Sequence, residues 1–117
     1  MSLFWQTTGS TGATGAVEVD VSAAHALQQQ GAQLIDVREP DEFRAGHAVG
    51  ARNIPLGELR RRVHELQAGT TVLLICECGS RSWSGQLQIQ HLSVPDVRNG
   101  VGGTSAWRRA QLPMQVG

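Results

Sequence analysis

Apolar and polar positions fall into short blocks along the chain. The clearest is Val72-Leu73-Leu74-Ile75, an apolar run bounded by Gly69-Thr70 and by a turn at Gly79, and it predicts a buried strand. The mixed stretch from Ser82 to Leu92, with Leu87, Ile89 and Leu92 among polar residues, predicts a helix directly after it. Upstream, Val17-Glu18-Val19 alternates as a short strand. Ser22 then reads as the cap of a helix from Ala23 to Gln30, with Ala23, Ala26 and Leu27 inward and Gly31 as its stop. His25 on that helix reads as a surface or edge residue, since nothing around it has metal-ligand spacing. Gln33 to Val37 is the next strand, apolar at Leu34, Ile35 and Val37.

Pro40 opens a short helix from Asp41 to Arg44 whose first turn is acidic and whose Phe43 faces the core. Gly46 ends it, and His47 follows in a loop. Arg52 to Pro55 is extended and leads into a helix from Leu56 to Gln67 with Leu59, Val63 and Leu66 as its apolar stripe. Arg60, Arg61 and Arg62 read as a solvated helix face, with docking of an acidic partner as the other reading. Val94 to Val97 is a strand that tolerates Pro95 only at its edge or beginning. Gly100, Gly102 and Gly103 make a flexible turn, and a last helix from Thr104 to Ala110 anchors Trp107. Strands alternating with helices predict a three-layer α/β domain with a mainly parallel sheet.

Composition narrows this picture. The 117 residues suit one domain, read here as residues 17–117, after a Gly-, Thr- and Ser-rich flexible tail at 1–16. Phe4-Trp5 in the tail reads either as a docking element or as a loosely packed end. Ten basic residues balance ten acidic ones, which argues against nucleic acid as a partner. Every basic residue is arginine, so Schiff-base and lysine-base chemistry are excluded. No cationic start with an apolar run follows Met1 and no stretch approaches a membrane span, so a cytoplasmic protein without a signal peptide is expected. Two cysteines one residue apart do not form a secreted disulfide framework.

The candidate chemistry sits at Cys76-Glu77-Cys78-Gly79-Ser80-Arg81. A loop between a buried strand and a helix turns its N–H groups inward, making a cradle for an anion or a thiolate. A cysteine over that cradle, with an arginine closing the loop, is expected to be a nucleophile with a depressed pKa. The plain alternative is an inert core cysteine, as most free cysteines are, but that leaves Gly79 and Arg81 without a reason. Asp36, Arg38 and Glu39 form a charged cluster at the carboxyl end of another buried strand, where α/β sheets carry their sites. Trp83, one turn from the loop, reads either as a wall of the site or as packing.

Four separated motifs resemble the single-domain rhodanese family from about Val17 to Pro113. They are Leu34-Ile35-Asp36-Val37-Arg38 with Glu39, Phe43 and Gly46-His47; Gly50-Ala51 through Asn53-Ile54-Pro55; Cys76-x-x-Gly79-x-Arg81; and Gly102-Gly103 with Trp107 and Leu112-Pro113. The resemblance implies a rhodanese-like fold and a sulfurtransferase. Cys76 would take the outer sulfur of a donor, thiosulfate or a persulfide, and pass it to a thiophilic acceptor such as cyanide. It implies that the backbone of Glu77, Cys78, Gly79, Ser80 and Arg81 cradles the sulfur. Arg81 would close the loop by pairing with Asp36 or Glu39, His47 would be structural, and neither metal nor cofactor would be needed. The family's phosphatase relatives use a loop one residue longer, Cys-x5-Arg, so the shorter Cys-x4-Arg loop suits sulfur. The other classes that fit are a non-enzymatic binding module on the same fold and a Cys76/Cys78 thiol redox protein. Partners are expected to be a small sulfur donor and acceptor, or a protein persulfide. Glu77 departs from many thiosulfate-using members: a carboxylate at the mouth repels a dianion and tends to raise the thiol pKa. Cys78 reads either as a stand-in for serine or as a resolving thiol.

Overall fold

The structure is a computed structural model and describes residues 17–117 except 68, 93 and 95. The readings placed on Phe4-Trp5 and on Pro95 lie outside the described residues. Five strands, β1 (Val17–Val19), β2 (Gln33–Asp36), β4 (Arg52–Asn53), β5 (Val72–Ile75) and β6 (Val97–Gly100), form one sheet in the order β1-β6-β5-β2-β4. Every pairing in it is parallel. A separate antiparallel pair joins β3 (His47–Ala48) to β7 (Met114–Gln115). The α/β architecture with a mainly parallel sheet is therefore as expected.

β5 is the central strand and is buried along its whole length. Parallel strands covered on both faces read as continuous apolar runs, which is why Val72–Ile75 lacks alternation. Its side chains nevertheless alternate in space. Leu73 and Ile75 join Val21, Ala24, Leu34, Ala48 and Trp107 in one core. Val72, Leu74 and Cys76 join Ile35, Ile54, Leu59, Leu66 and Ile89 in the other. The first core lies under α1 (Val21–Gln29) and α5 (Gly103–Arg109), the second under α3 (Leu56–Leu59) and α4 (Ser80–Ile89). Strand parity thus sends Cys76 to the α4 face.

The helices start and stop differently from the sequence expectation. Asp20, not Ser22, caps α1 by accepting from the Ala23 N–H at 2.8 Å, so the helix begins two residues earlier and turns Val21 and Ala24 inward. Ala23 and Ala26 are exposed. The expected helix 56–67 breaks after α3 into turns and a 3₁₀ turn at Val63–Glu65, yet Leu59 and Leu66 stay buried. Arg62 reaches back to Glu58 and forward to Glu65, so this arginine of the basic run is ion-paired.

Phe43, on α2 (Pro40–Ala45), is half-buried and stacks on His47 with centroids 3.7 Å apart rather than entering either core. His47 lies in a strand, not a loop, and its Nδ1 donates to the Phe43 carbonyl at 2.8 Å. The last sheet strand begins at Val97, where the expected one ended, and Gly100 belongs to it. Leu92 is exposed. His25 packs edge-on against Trp107.

Candidate active site

The register that aligns Asp36 with Ile75 and Leu74 with Asn99 brings the carboxyl ends of β2, β5 and β6 to one edge. Cys76 leaves β5 there, and Gly79 makes the turn into α4 with φ +108, a conformation that suits glycine. The Gly79 N–H donates to Cys76 Sγ at 3.0 Å, and the Ser82 hydroxyl lies 3.4 Å from the same sulfur. Cys76 is fully buried under the first turn of α4, whose N-terminal N–H groups favour negative charge. Burial pushes the Cys76 thiol pKa up. Hydrogen bonds from the Ser82 hydroxyl and from the Ser82, Gly79 and Cys78 amides outweigh it and hold the thiol below its ordinary value.

The first two carbonyls of the loop face the other way, onto α5. Cys76 O accepts from Thr104 N at 2.7 Å and Glu77 O from Ser105 N at 3.0 Å, both at the start of α5. Gly103, with φ +59, permits this approach: a Cβ there would sit 2.6 Å from the Glu77 carbonyl carbon. The pair Gly102-Gly103 is therefore a docking edge for the loop rather than a flexible turn.

The charged residues are arranged in two clamps. Asp36 and Arg38 form a buried pair at 2.8 Å, and Arg38 also donates to Gly46 O at 2.7 Å and to Glu77 Oε1 at 3.1 Å. Glu77 Oε2 accepts from Ser105 Oγ at 2.5 Å and lies 3.5 Å from Arg108. Burial works against the Glu77 charge, but Ser105, Arg108 and Arg38 hold its pKa below the ordinary carboxylate value. The expected upward push of Glu77 on the cysteine does not prevail: the Cys76 thiol is lowered and the carboxylate is tied to Arg38, Ser105 and Arg108.

The second clamp corrects the expected partner of Arg81. Arg81 pairs with Glu42 of α2, in two hydrogen bonds of 2.6 and 2.9 Å, and not with Asp36 or Glu39. Asp36 is taken by Arg38, and Glu39 is exposed, its N–H donating to Glu42 Oε1 at 3.1 Å. Hydrogen bonding to Arg81 holds the Glu42 carboxyl at about 2.

Cys78 is exposed, with Sγ 3.7 Å from Ser80 Oγ. Trp83 is 41% exposed and packs in neither core. A hollow of about 240 Å³ beside the loop is lined by Arg38, Glu42, Ala45, Gly46, Glu77 and Arg108. Among the described residues no group of three or more His, Cys, Asp and Glu is placed to hold a metal, and no helix is long and apolar enough to cross a membrane.

Five residues at this edge, Glu42, Ser82, Asn99, Ser105 and Arg108, were not singled out from the sequence. Ser82 carried a signal in its place in the first turn of a helix that starts at the cysteine loop. Asn99 gave none, because the strand that holds it is expected from the sequence to end at Val97, and Arg108 reads only as one position of the expected last helix.

A parallel α/β domain with a cysteine loop between its central strand and the next helix defines a class of protein, and the comparisons supply the family. The chain belongs to the rhodanese family: the Rhodanese-like domain matches residues 20–110. Protein YqhL of Bacillus subtilis (strain 168), itself uncharacterised, is 42% identical over 76 residues, 65% of this chain and only 60% of that protein. Thiosulfate sulfurtransferase 16, chloroplastic, of Arabidopsis thaliana is 32% identical over 110 residues, 84% of this chain and 92% of that one. The crystal structure of a rhodanese-related protein from Thermoplasma volcanium has the same fold, with a TM-score of 0.79 over 86% of this chain and 99% of that one at 24% identity.

Proposed function

We propose that this protein is a rhodanese-type sulfurtransferase that carries sulfur as a persulfide on Cys76. The observation that carries the reading is the sulfur of Cys76 seated 3.0 Å from the Gly79 N–H under a helix N-terminus, with its pKa lowered. The likeness to a chloroplastic thiosulfate sulfurtransferase over most of both chains supports it. The Cys76 thiolate attacks the outer sulfur of the donor. The donor's S–S bond breaks, and its electron pair leaves with sulfite if the donor is thiosulfate or with a thiolate if it is a persulfide. The acceptor nucleophile then attacks the terminal sulfur, and Cys76 departs as the thiolate it was. The loop amides stabilise the charge before and after transfer without rearranging.

Donor choice follows from charge. Arg38, Arg81 and Arg108 at the site are each paired with a carboxylate, Asp36 and Glu77, Glu42, and Glu77 respectively, so among the described residues these three arginines add no surplus positive charge. A dianion gains little there, so a persulfide of lower charge, small or protein-borne, is the better donor and thiosulfate the poorer one.

The test is thiocyanate formation from cyanide, with thiosulfate and with glutathione persulfide as donors. Cys76→Ser is expected to lose more than about a thousandfold of the rate with either donor, because it removes the atom that carries the sulfur. Wild-type protein with no turnover on either donor, or a Cys76→Ser variant that keeps the rate, would contradict the reading.

A further inference from the structure

The pairing register lines up a row of side chains on the α4 face of the sheet. Asn99 of β6 stands opposite Leu74 of β5 and Glu18 of β1 opposite Asn99, and Leu74 shares its face with Cys76. The row is joined by hydrogen bonds beneath the loop. Asn99 Nδ2 donates to Glu18 Oε2 and to Gly79 O, each at 3.3 Å, which leaves Oδ1 facing Ser82 Oγ at 2.5 Å. Ser82 and Asn99 are both buried, so water does not serve as a substitute partner.

The Ser82 hydroxyl has one proton and three acceptors in reach: Asn99 Oδ1 at 2.5 Å, Gly79 O at 3.2 Å and Cys76 Sγ at 3.4 Å. A single O–H cannot serve all of them. When Cys76 is a thiol, its S–H donates to Ser82 Oγ and the hydroxyl proton goes to Asn99. When Cys76 is a thiolate, the hydroxyl proton is drawn to the sulfur, because hydrogen bonds to a charged acceptor are the stronger ones. Asn99 Oδ1 then loses its donor in a buried setting.

We propose that Asn99 is a positioning residue that competes with Cys76 for the Ser82 proton, favouring the neutral thiol and the uncharged Sγ of the loaded persulfide over the bare thiolate. Asn99 acts on the sulfur only through Ser82. The inference rests on Cys76 being the reacting thiol, but its test reads ionisation and needs no turnover. Other charged and titratable groups surround the sulfur from every element packed against it. Arg81 paired with Glu42 of α2, Glu77 held by Arg38 from the end of β2 and Arg108 from α5, and Asp36 paired with Arg38 keep their partners in that test; Cys78 on the loop is replaced throughout it, and Glu18 from β1 loses its Asn99 donor in the position-99 variants, whether or not Ser82 is present.

The experiment follows the ultraviolet absorbance of the Cys76 thiolate against pH in a Cys78→Ser background, with far-ultraviolet circular dichroism as the check on folding. Ser82→Ala is expected to raise the midpoint and leave about tenfold less thiolate at a given pH below it. Asn99→Val, which suits a strand, is expected to do the opposite and raise the thiolate fraction about three- to tenfold. In the double variant Asn99→Val with Ser82→Ala, the effect of position 99 is expected to vanish. Asn99→Ala serves where valine does not fold. A second readout uses protein unaltered at 82 and 99: the Asn99 side-chain amide resonance is expected to titrate with the Cys76 midpoint, and in Ser82→Ala to lose that titration. An unchanged or raised midpoint in Asn99→Val, a position-99 effect that survives Ser82→Ala, or an amide resonance blind to the midpoint overturns the proposal.

Discussion

The two ends of the central strands carry similar polar hardware and do different things with it. At the amino end, Thr71 donates to Asp96 at 2.8 Å, Arg98 clasps the same carboxylate at 3.0 Å, and Gln33 bonds Thr70 at 2.8 Å. A hollow of about 260 Å³ opens there, close in size to the one beside the cysteine loop. Hydrogen bonding to Arg98 lowers the Asp96 pKa, as Arg81 does for Glu42 at the other end. Ion pairs, a shifted carboxylate and a hollow are therefore common to both ends. The carboxyl end differs in having a buried thiol, a helix N-terminus aimed at it and a loop whose first two carbonyls are turned away onto α5. Charge clusters and cavities are thus common to both ends; donors converging on one buried sulfur are found at the carboxyl end, where we propose the site.

The comparison breaks hardest at Arg38. Arg38→Leu leaves Asp36 charged and unpaired in the interior, and the expected loss of stability is about 3–5 kcal/mol by urea unfolding. The matched change at the amino end, Asp96→Asn, removes a half-exposed pair and is expected to cost less than about 1 kcal/mol. Equal losses at both ends would refute the contrast.

Glu42→Gln tests the outer clamp through pH. The Glu42 carboxyl lies at about 2 against an ordinary 4.5, so its contribution to stability is complete above about pH 4.5 and is lost as pH falls toward 2. Wild-type unfolding midpoints should fall across that window, and Glu42→Gln should flatten that part of the curve. A variant that parallels wild type through the window would show that Arg81 is held by something else.

The smallest effect sharpens the site's own chemistry. Glu77→Gln removes one carboxylate and leaves Arg108 and part of Arg38 uncompensated. We expect a few-fold rise in kcat/KM for thiosulfate, steeper at low salt, and no gain with a neutral persulfide donor. A fall for thiosulfate would mean that Glu77 serves the loop's shape more than its charge.

How much of this was legible in the sequence depends on how local each cause is. β5, the cysteine loop, Trp107 in the core and the parallel α/β class were readable, because each follows from a contiguous run or a short spacing. The partner of Arg81 was not. Asp36 and Glu39 were the obvious carboxylates, but Arg38 claims Asp36 from two residues away and Glu39 is exposed at the start of α2, which turns Glu42 toward the loop. Asn99 was hidden by a register error: Val94 and Val97 suggested the strand, while the ladder with β5 begins at Val97. β7 was missed because a two-residue strand against His47–Ala48 has no periodicity to read. The α1 boundary moved because Asp20 outcompeted Ser22 as the cap, a choice between two good caps that local sequence leaves open.

The central claim is that Cys76 carries the transferred sulfur. Its most direct test is the intact mass of the reduced protein after treatment with thiosulfate or glutathione persulfide, for wild type, Cys76→Ser and Cys78→Ser. The account predicts a gain of one sulfur atom in wild type and in Cys78→Ser, none in Cys76→Ser, and fuller loading from the persulfide. Loading that survives in Cys76→Ser, or no loading of folded wild-type protein by either donor, would contradict it.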